Sequence, residues 1–326
     1  MKKVLLLFGG NSEEHFVSCK SAKAILENID ISKFTITSVG ISKDNNWYIF
    51  NDKLEFLEDG SWLKYSLNNK VENIIDFIKS FDVVFPIIHG ANGEDGKLQG
   101  MLDLFNIKYV GCKTMASSIG MDKELSKIVF NSAAIPQIPY LTVYEDYNID
   151  DITSTLELPL IIKPANGGSS IGINKATNKN DLEKSIKEAL KYDKKVIVEK
   201  FIKGRELECS IIEDNGNLYA SSIGEIIPYN DFYDYESKYS LHSKTCIAYD
   251  LDDNVIKKIK EYAIKAFKLL GAKSFSRVDF FLVDNNIFLN EINTLPGFTP
   301  ISMYPKLLIN DGYRFKDIIT ILLENC

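Results

Sequence analysis

The sequence has little cysteine, histidine or tryptophan and no excess of positive charge. Five cysteines stand at 19, 112, 209, 246 and 326 with no CxxC pair among them, and histidine occurs only at 15, 89 and 242. That scatter excludes a disulfide framework and a cysteine–histidine zinc cluster, and it fits a reducing cytosol. Each histidine is isolated, which suits an ordinary polar contact better than a metal ligand. No run reaches the roughly 18 uncharged apolar residues of a membrane span. The apolar start, residues 4–8, is too short for a signal peptide and ends in glycines rather than a cleavage site. The expectation is a cytoplasmic protein with no membrane partner. Lys and Arg number 38 against 45 Asp and Glu, so there is no basic footprint for a nucleic acid. Neither a Walker A element nor a GxGxxG fingerprint follows a strand-like run.

What is present is the balance of an ordinary folded chain. Its 326 residues, 45% hydrophobic and 25% charged, suffice for two or three packed units. Strand and helix signals alternate, which predicts an α/β fold. Residues 4–8, 36–41, 82–88, 160–163 and 195–199 read as buried strands. A helix is expected after Gly9-Gly10-Asn11-Ser12, with Val17, Ser21, Ala24 and Ile25 on one face. Another is expected from Asn180, with Glu183 as capping partner and Leu182, Ile186 and Leu190 as its buried stripe. Residues 255–270 carry the clearest helical period, and Gly271 stands where a left-handed terminal glycine belongs.

The most informative stretch is 277–293. Two apolar strands flank Asp284-Asn285-Asn286, which reads as a hairpin. If Val283 faces Ile287, counting outward sets Asp279 opposite Glu291 and Arg277 opposite Asn293, all on one sheet face. Oxygen donors of this kind suit Mg²⁺. An arginine-buffered surface cluster is the alternative, and the apolar strands favour metal. The loop Asn166-Gly167-Gly168-Ser169-Ser170-Ile171-Gly172 can close backbone N–H groups and two hydroxyls on an anion, with Lys163 as a point charge; a plain flexible loop fits equally. Residues 196–202 read as a core strand leaving its sheet, or as backbone offered to a purine edge. Residues 232–239, dense in aromatics and charge, read as a lid or a surface loop. Residues 295–302 could present N–H groups and a hydroxyl beside the metal. Together these point to an ATP–Mg²⁺ enzyme built from three α/β units, with the substrate open.

In this order the segments resemble the D-alanine–D-alanine ligases of the ATP-grasp superfamily, over nearly the whole chain. The resemblance is carried by residues 9–18, the HGxxGEDGxxQG block from His89 to Gly100, and Met121-Asp122-Lys123. It continues through the KPAxxGSSxG loop, EKFIKGRE, FYDYESKY, RVDFF and NEINTLPGFT. It implies a Rossmann-like N-terminal domain (1–111), a central ATP-grasp domain (112–203) and a C-terminal ATP-grasp catalytic domain (204–326), α+β in the ATP-grasp part. ATP would lie between the last two. Lys123, Lys163 and Lys238 would bind its phosphates, as would Ser170 in the glycine loop. Glu199, Lys200 and Ile202 would receive adenine, Glu206 ribose, and Phe232 and Phe281 would contact the nucleotide. Asp279, Glu291 and Asn293 would hold two Mg²⁺ or Mn²⁺ ions. Glu14 would take the ammonium of the first D-alanine, with His89 near its carboxylate. Arg277 and Ser302 would bind the second carboxylate, and the Gly297 N–H the oxyanion. Ser169 and Tyr239 would fasten the lid to Glu14.

The implied activity is ligation of two D-alanines through an acyl phosphate for peptidoglycan precursors, by a homodimer. The alternative second substrate is D-serine, as in the vancomycin-resistance relatives. Tyr239 and Met303 match the D-alanine enzymes, whereas residues 12–15 and 110–112 look like the resistance group and residues 240–249 depart from the family's usual ending. A nucleotide-binding regulator without chemistry is the alternative of another class, and intact Glu14, Ser169, Tyr239, Arg277 and Ser302 argue against it. The lid and Ser302 segments disfavour an ATP-grasp enzyme for an unrelated carboxylate.

Overall fold

Three β-sheets, each covered by helices, organise the computed structural model, which describes residues 1–168, 171–227 and 244–326. Ser169, Ser170, Phe232, Lys238, Tyr239 and His242, and with them the lid reading of 232–239, lie outside the described residues. In the first sheet the order is β3-β2-β1-β4, built from β1 (Lys2–Gly9), β2 (Phe34–Ile41), β3 (Trp47–Phe50) and β4 (Val83–Pro86). β1 is parallel to both β2 and β4. Its unbroken apolar run, Val4 to Phe8, is fully buried, as expected of a strand covered on both faces. The helix His15–Asn28 crosses from β1 to β2. Gly9, at φ +89°, marks the turn out of the strand; a Cβ there would meet the Ile41 carbonyl oxygen at 2.4 Å.

The second sheet, ordered β5-β8-β6-β7, contains β5 (Tyr140–Val143), β6 (Leu160–Pro164), β7 (Asn174–Ala176) and β8 (Val196–Lys200). The helix Lys179–Ala189 lays Leu182 and Ile186 on it. It starts earlier than expected. Asn178 is its cap, accepting from the Asp181 N–H at 2.9 Å, and Asp181 reaches back to the Asn178 amide at 2.7 Å. Glu183 is left to pair with Lys187 one turn on, at 2.6 Å. The Asn-x-x-Asp spacing satisfies the orphan donors two residues upstream of the expected pair.

The third sheet is antiparallel and ordered β11-β10-β9-β12-β13. It comprises β9 (Arg205–Asp214), β10 (Asn217–Ile227), β11 (Lys244–Ile247), β12 (Phe275–Val283) and β13 (Asn286–Asn293). The helix Asp253–Leu270 packs Ile259, Ala263, Ala266, Phe267 and Leu270 over Leu207, Cys209, Val278 and Phe280. Gly271 ends it at φ +67°.

The β12–β13 hairpin corrects one count and keeps its consequence. Val283 pairs with Asn286, not Ile287, because the turn is only Asp284-Asn285, with Asp284 at φ +52°. A bulge then inserts one extra residue on β13 between the Phe280–Leu289 and Asp279–Glu291 pairs. The shorter turn and the bulge cancel, so Asp279 still faces Glu291 and Arg277 faces Asn293.

The apolar cores cross between the sheets. Phe298, fully buried, meets Phe85 of β4, Phe275 of β12 and Phe315 edge-on, with centroids 6.0, 5.9 and 5.4 Å away. The C-terminal helices Met303–Asn310 and Phe315–Glu324 share that core with β1. Cys112, Ala116 and Phe130 belong to the core of the third sheet. Phe298→Ala removes the ring joining these layers and is expected to cost about 3–5 kcal/mol. Urea unfolding followed by circular dichroism measures this, and a loss under 1 kcal/mol would contradict the shared core.

Candidate functional site

A cavity of about 1090 Å³ opens between the second and third sheets and reaches the carboxyl ends of β1 and β4. It brings together every sequence-predicted site residue among the described ones. Lys163, Glu199, Lys200 and Ile202 come from the second sheet and the connector after it. Glu206, Arg277, Asp279, Phe281, Glu291 and Asn293 come from the third sheet. Glu14 and His89 enter from the N-terminal layer, Lys123 from a helix start, and Gly297 and Ser302 from the loop after β13. Ile138, Ile161 and Ile173 give one end an apolar lining.

The wall of the second sheet carries a buried cation–anion–cation set. Glu199 lies 2.5 Å from Lys163 Nζ through Oε2 and 2.5 Å from Lys127 Nζ through Oε1. Glu199, Lys127 and Lys163 are 2%, 1% and 7% exposed, so water screens none of these charges. Burial alone opposes ionisation of Glu199, but the two ammonium groups overcome it and hold its carboxyl down at about 2. Lys127 was absent from the sequence expectation. Its position one helical turn after Lys123 was the available signal.

Lys123 begins the helix Lys123–Ser132, which Asp122 caps by accepting from the Glu124 and Leu125 N–H groups at 3.1 Å. Its Nζ donates to the Gly167 carbonyl at 2.7 Å, tying the helix start to the glycine loop. That loop reaches Glu14: a Cβ at Gly168 would stand 3.5 Å from Glu14 Oε2, and one at Gly90 only 2.9 Å. His89 is buried behind them. Its Nε2 meets Ser21 Oγ at 3.0 Å, and its Nδ1 lies 3.1 Å from the Leu295 carbonyl and 3.4 Å from Glu94 Oε1. Burial pushes the Glu94 carboxyl up; His89 opposes this and Glu14 adds to it. His15 is a structural contact: Trp62 donates to its Nε2 at 3.2 Å, so its Nδ1 donates to the Gly10 carbonyl at 2.6 Å.

The wall of the third sheet is acidic. Glu208 of β9 stands opposite Asp279 of β12, which stands opposite Glu291 of β13. Arg277 binds Asp279 through two bonds of 2.7 Å, and its Nε lies 3.1 Å from Glu208. Asn293 Nδ2 donates to Asp279 Oδ2 at 2.9 Å. Burial works against the Arg277 charge, yet Asp279 and Glu208 hold it well above the ordinary range. Glu206 is pushed up to about 7 by burial, then by Asp279 and Glu291. Glu208 too was absent from the sequence expectation, though it alternates with Glu206 on the same strand face. Among the described residues no group of three or more His, Cys, Asp or Glu side chains is arranged to hold a metal. The hairpin set offers two carboxylates and an amide. Ser302 Oγ accepts from the Thr299 N–H at 3.1 Å, and a Cβ at Gly297 would come within 2.8 Å of it.

Family models match both parts of the chain: residues 3–112 match the D-ala D-ala ligase N-terminus and residues 129–324 the D-ala D-ala ligase C-terminus. The D-alanine–D-alanine ligase of Clostridium novyi (strain NT) is 44% identical over 336 residues, covering 99% of this chain and 97% of the relative. The D-alanine–D-alanine ligase of Acetivibrio thermocellus is 41% identical over 358 residues, covering 99% and 95%. Among solved structures, the VanG D-Ala:D-Ser ligase from Enterococcus faecalis matches with a TM-score of 0.89 and 36% identity, covering 99% of this chain and 98% of that one.

Two stability changes follow from these walls. Glu199→Gln leaves Lys127 buried without its counter-charge and is expected to cost about 3–5 kcal/mol at pH 7 in urea unfolding. Glu206 behaves oppositely. The unfolded chain releases this proton near 4.5 and the folded one keeps it until about 7, so stability falls as pH rises between them. Without nucleotide, Glu206→Gln is expected to be more stable than the parent by roughly 1–3 kcal/mol at pH 8 and equal at pH 4. Equal stability at both pH values would refute the assignment.

Proposed function

The chain belongs to the D-alanine–D-alanine ligase family, and from that premise we propose that its cleft joins two D-alanine molecules at the expense of ATP. The fold is the ATP-grasp arrangement of that family. One observation carries the reading: a single cavity is lined by lysines on one wall, carboxylates with an arginine on the other, and Glu14 with His89 at the N-terminal end. We keep the division 1–111, 112–203 and 204–326 for the N-terminal, central and C-terminal domains. By the family resemblance we take the enzyme to act in the cytoplasm, as a homodimer.

A carboxylate is a poor electrophile, so the first D-alanine must be activated. Glu14 takes its ammonium and His89 lies beside its carboxylate. A carboxylate oxygen attacks the γ-phosphorus of ATP, the bond to ADP breaks, and an acyl phosphate forms. Lys123 and Lys163 neutralise the charge that builds on the phosphates. The amine of the second D-alanine, whose carboxylate is held by Arg277 and Ser302, attacks the acyl carbon. Arg277 and the Gly297 N–H stabilise the oxyanion, and phosphate leaves. Glu199, Lys200 and Ile202 receive the adenine, with Glu206 toward the ribose and Phe281 against the nucleotide. Because its carboxylate is held by two lysines, Glu199 contributes to the adenine through its backbone.

The donor set fits a hard divalent cation: Asp279 and Glu291 are in direct register, and the Asn293 amide adjoins them. These residues would hold two Mg²⁺ ions, or Mn²⁺; when bound, the ions would supply Lewis-acid neutralisation of phosphate charge.

D-Serine as second substrate is the competing reading, favoured by the similarity to the VanG ligase. The curated relatives at 41% and 44% identity, both D-alanine–D-alanine ligases, favour D-alanine. Met303, which matches the D-alanine enzymes, agrees; it is buried beside Gly224 and borders the cavity. Mass spectrometry of products from ATP with D-alanine, alone and with D-serine or D-lactate, tests this. D-alanyl-D-alanine is expected, with no turnover on L-alanine; a predominant D-Ala-D-Ser product would transfer the assignment. Asp279→Asn and Glu291→Gln should each lower turnover by about a hundredfold or more.

A further inference from the structure

We propose that Glu208 is a positioning residue that holds the Arg277 guanidinium toward the second amino-acid subsite while Asp279 is engaged elsewhere; this rests on the ligase reading of the cleft. Glu208 lies on β9, the middle strand of the third sheet, directly opposite Asp279. Its side chain is 4% exposed, against 14% for both Arg277 and Asp279. The two carboxylates share one guanidinium. Asp279 takes Nε and Nη2, and Glu208 lies beside Nε at 3.1 Å. Both contacts run through one side of the fork, which leaves Nη1 as the nitrogen they do not use.

Asp279 has two demands on it. Arg277 and Asn293 donate three bonds to the two oxygens of Asp279, the same oxygens a divalent cation would need. Arginine and cation therefore compete for Asp279. When Asp279 turns to a cation, Arg277 loses its bidentate partner. Glu208, held at the floor of the cleft in the middle of the sheet, remains to fix it. Without Glu208, Arg277 would either cling to Asp279 and weaken the cation site, or swing from the substrate carboxylate.

The test is a double-mutant cycle with two readouts. In steady-state ADP release, Glu208→Gln is expected to raise KM for the second D-alanine about tenfold, as loss of a hydrogen bond to a charged group would. KM for ATP should stay within about threefold, and Glu208→Asp, which keeps the charge, should recover part of the loss. Mn²⁺ affinity, read by electron paramagnetic resonance without substrates, should fall about threefold or more in Glu208→Gln. In an Arg277→Gln background the same change should alter Mn²⁺ affinity by less than about 1.5-fold, because the competitor is gone. An unchanged second-substrate KM, or an equal Mn²⁺ loss with and without Arg277, overturns the proposal. If Glu208→Gln does not fold, Glu208→Asp carries both measurements, with smaller shifts in the same directions. If the parent protein makes no D-alanyl dipeptide, the ligase reading fails and this proposal with it, whereas a parent that makes the dipeptide leaves the cycle to judge Glu208 alone.

Discussion

Glu208, Asp279 and Glu291 stand in adjacent register across β9, β12 and β13, and like charges at that spacing repel unless a cation lies among them. Among the described residues Arg277, two residues before Asp279 on the same strand face, pairs with both Glu208 and Asp279. Glu206 beside them is pushed up to about 7, by burial first and then by Asp279 and Glu291. The three carboxylates form an acidic row that lines the cavity. The third sheet can hold it because its opposite face is secured by the apolar stripe of the helix Asp253–Leu270.

The facing wall has the opposite sign. Lys127 and Lys163 share Glu199 and leave a net positive charge sealed against the cavity. Lys163 reaches the cavity lining and Lys127 stays behind it. A polyphosphate between the two walls would meet lysines on one side and, through divalent ions, carboxylates on the other. Neither wall suits an uncharged ligand, which is why the cleft's electrostatics and the family assignment lead to the same chemistry.

Much of this was legible in order along the chain. The buried strands, the crossover helix and the helix ending at Gly271 follow from periodicity and capping chemistry. The hairpin shows the limit of that reading. Its turn is one residue shorter than counted and its second strand carries a bulge; the site survives because the two deviations cancel. The bulge shows in the alternation only as one slip, from Ile287 and Leu289 to Ile292. The helix start at Asn178 was misplaced for a similar reason: two overlapping Asx-acid spacings compete, and only the folded backbone selects one.

The sequence by itself determined the α/β alternation, the loops at strand ends and the residue types gathered in the cleft, because these rest on local spacing. Only the tertiary structure decided that Lys127 and Glu208 belong to the site. Each is an unremarkable charged residue in its own segment, and its role arises from partners 72 and 69 positions away, Glu199 and Arg277. It likewise decided that the last two helices complete the core beneath β1, since burial of an apolar face depends on which layer lies nearest, and no local pattern carries that information.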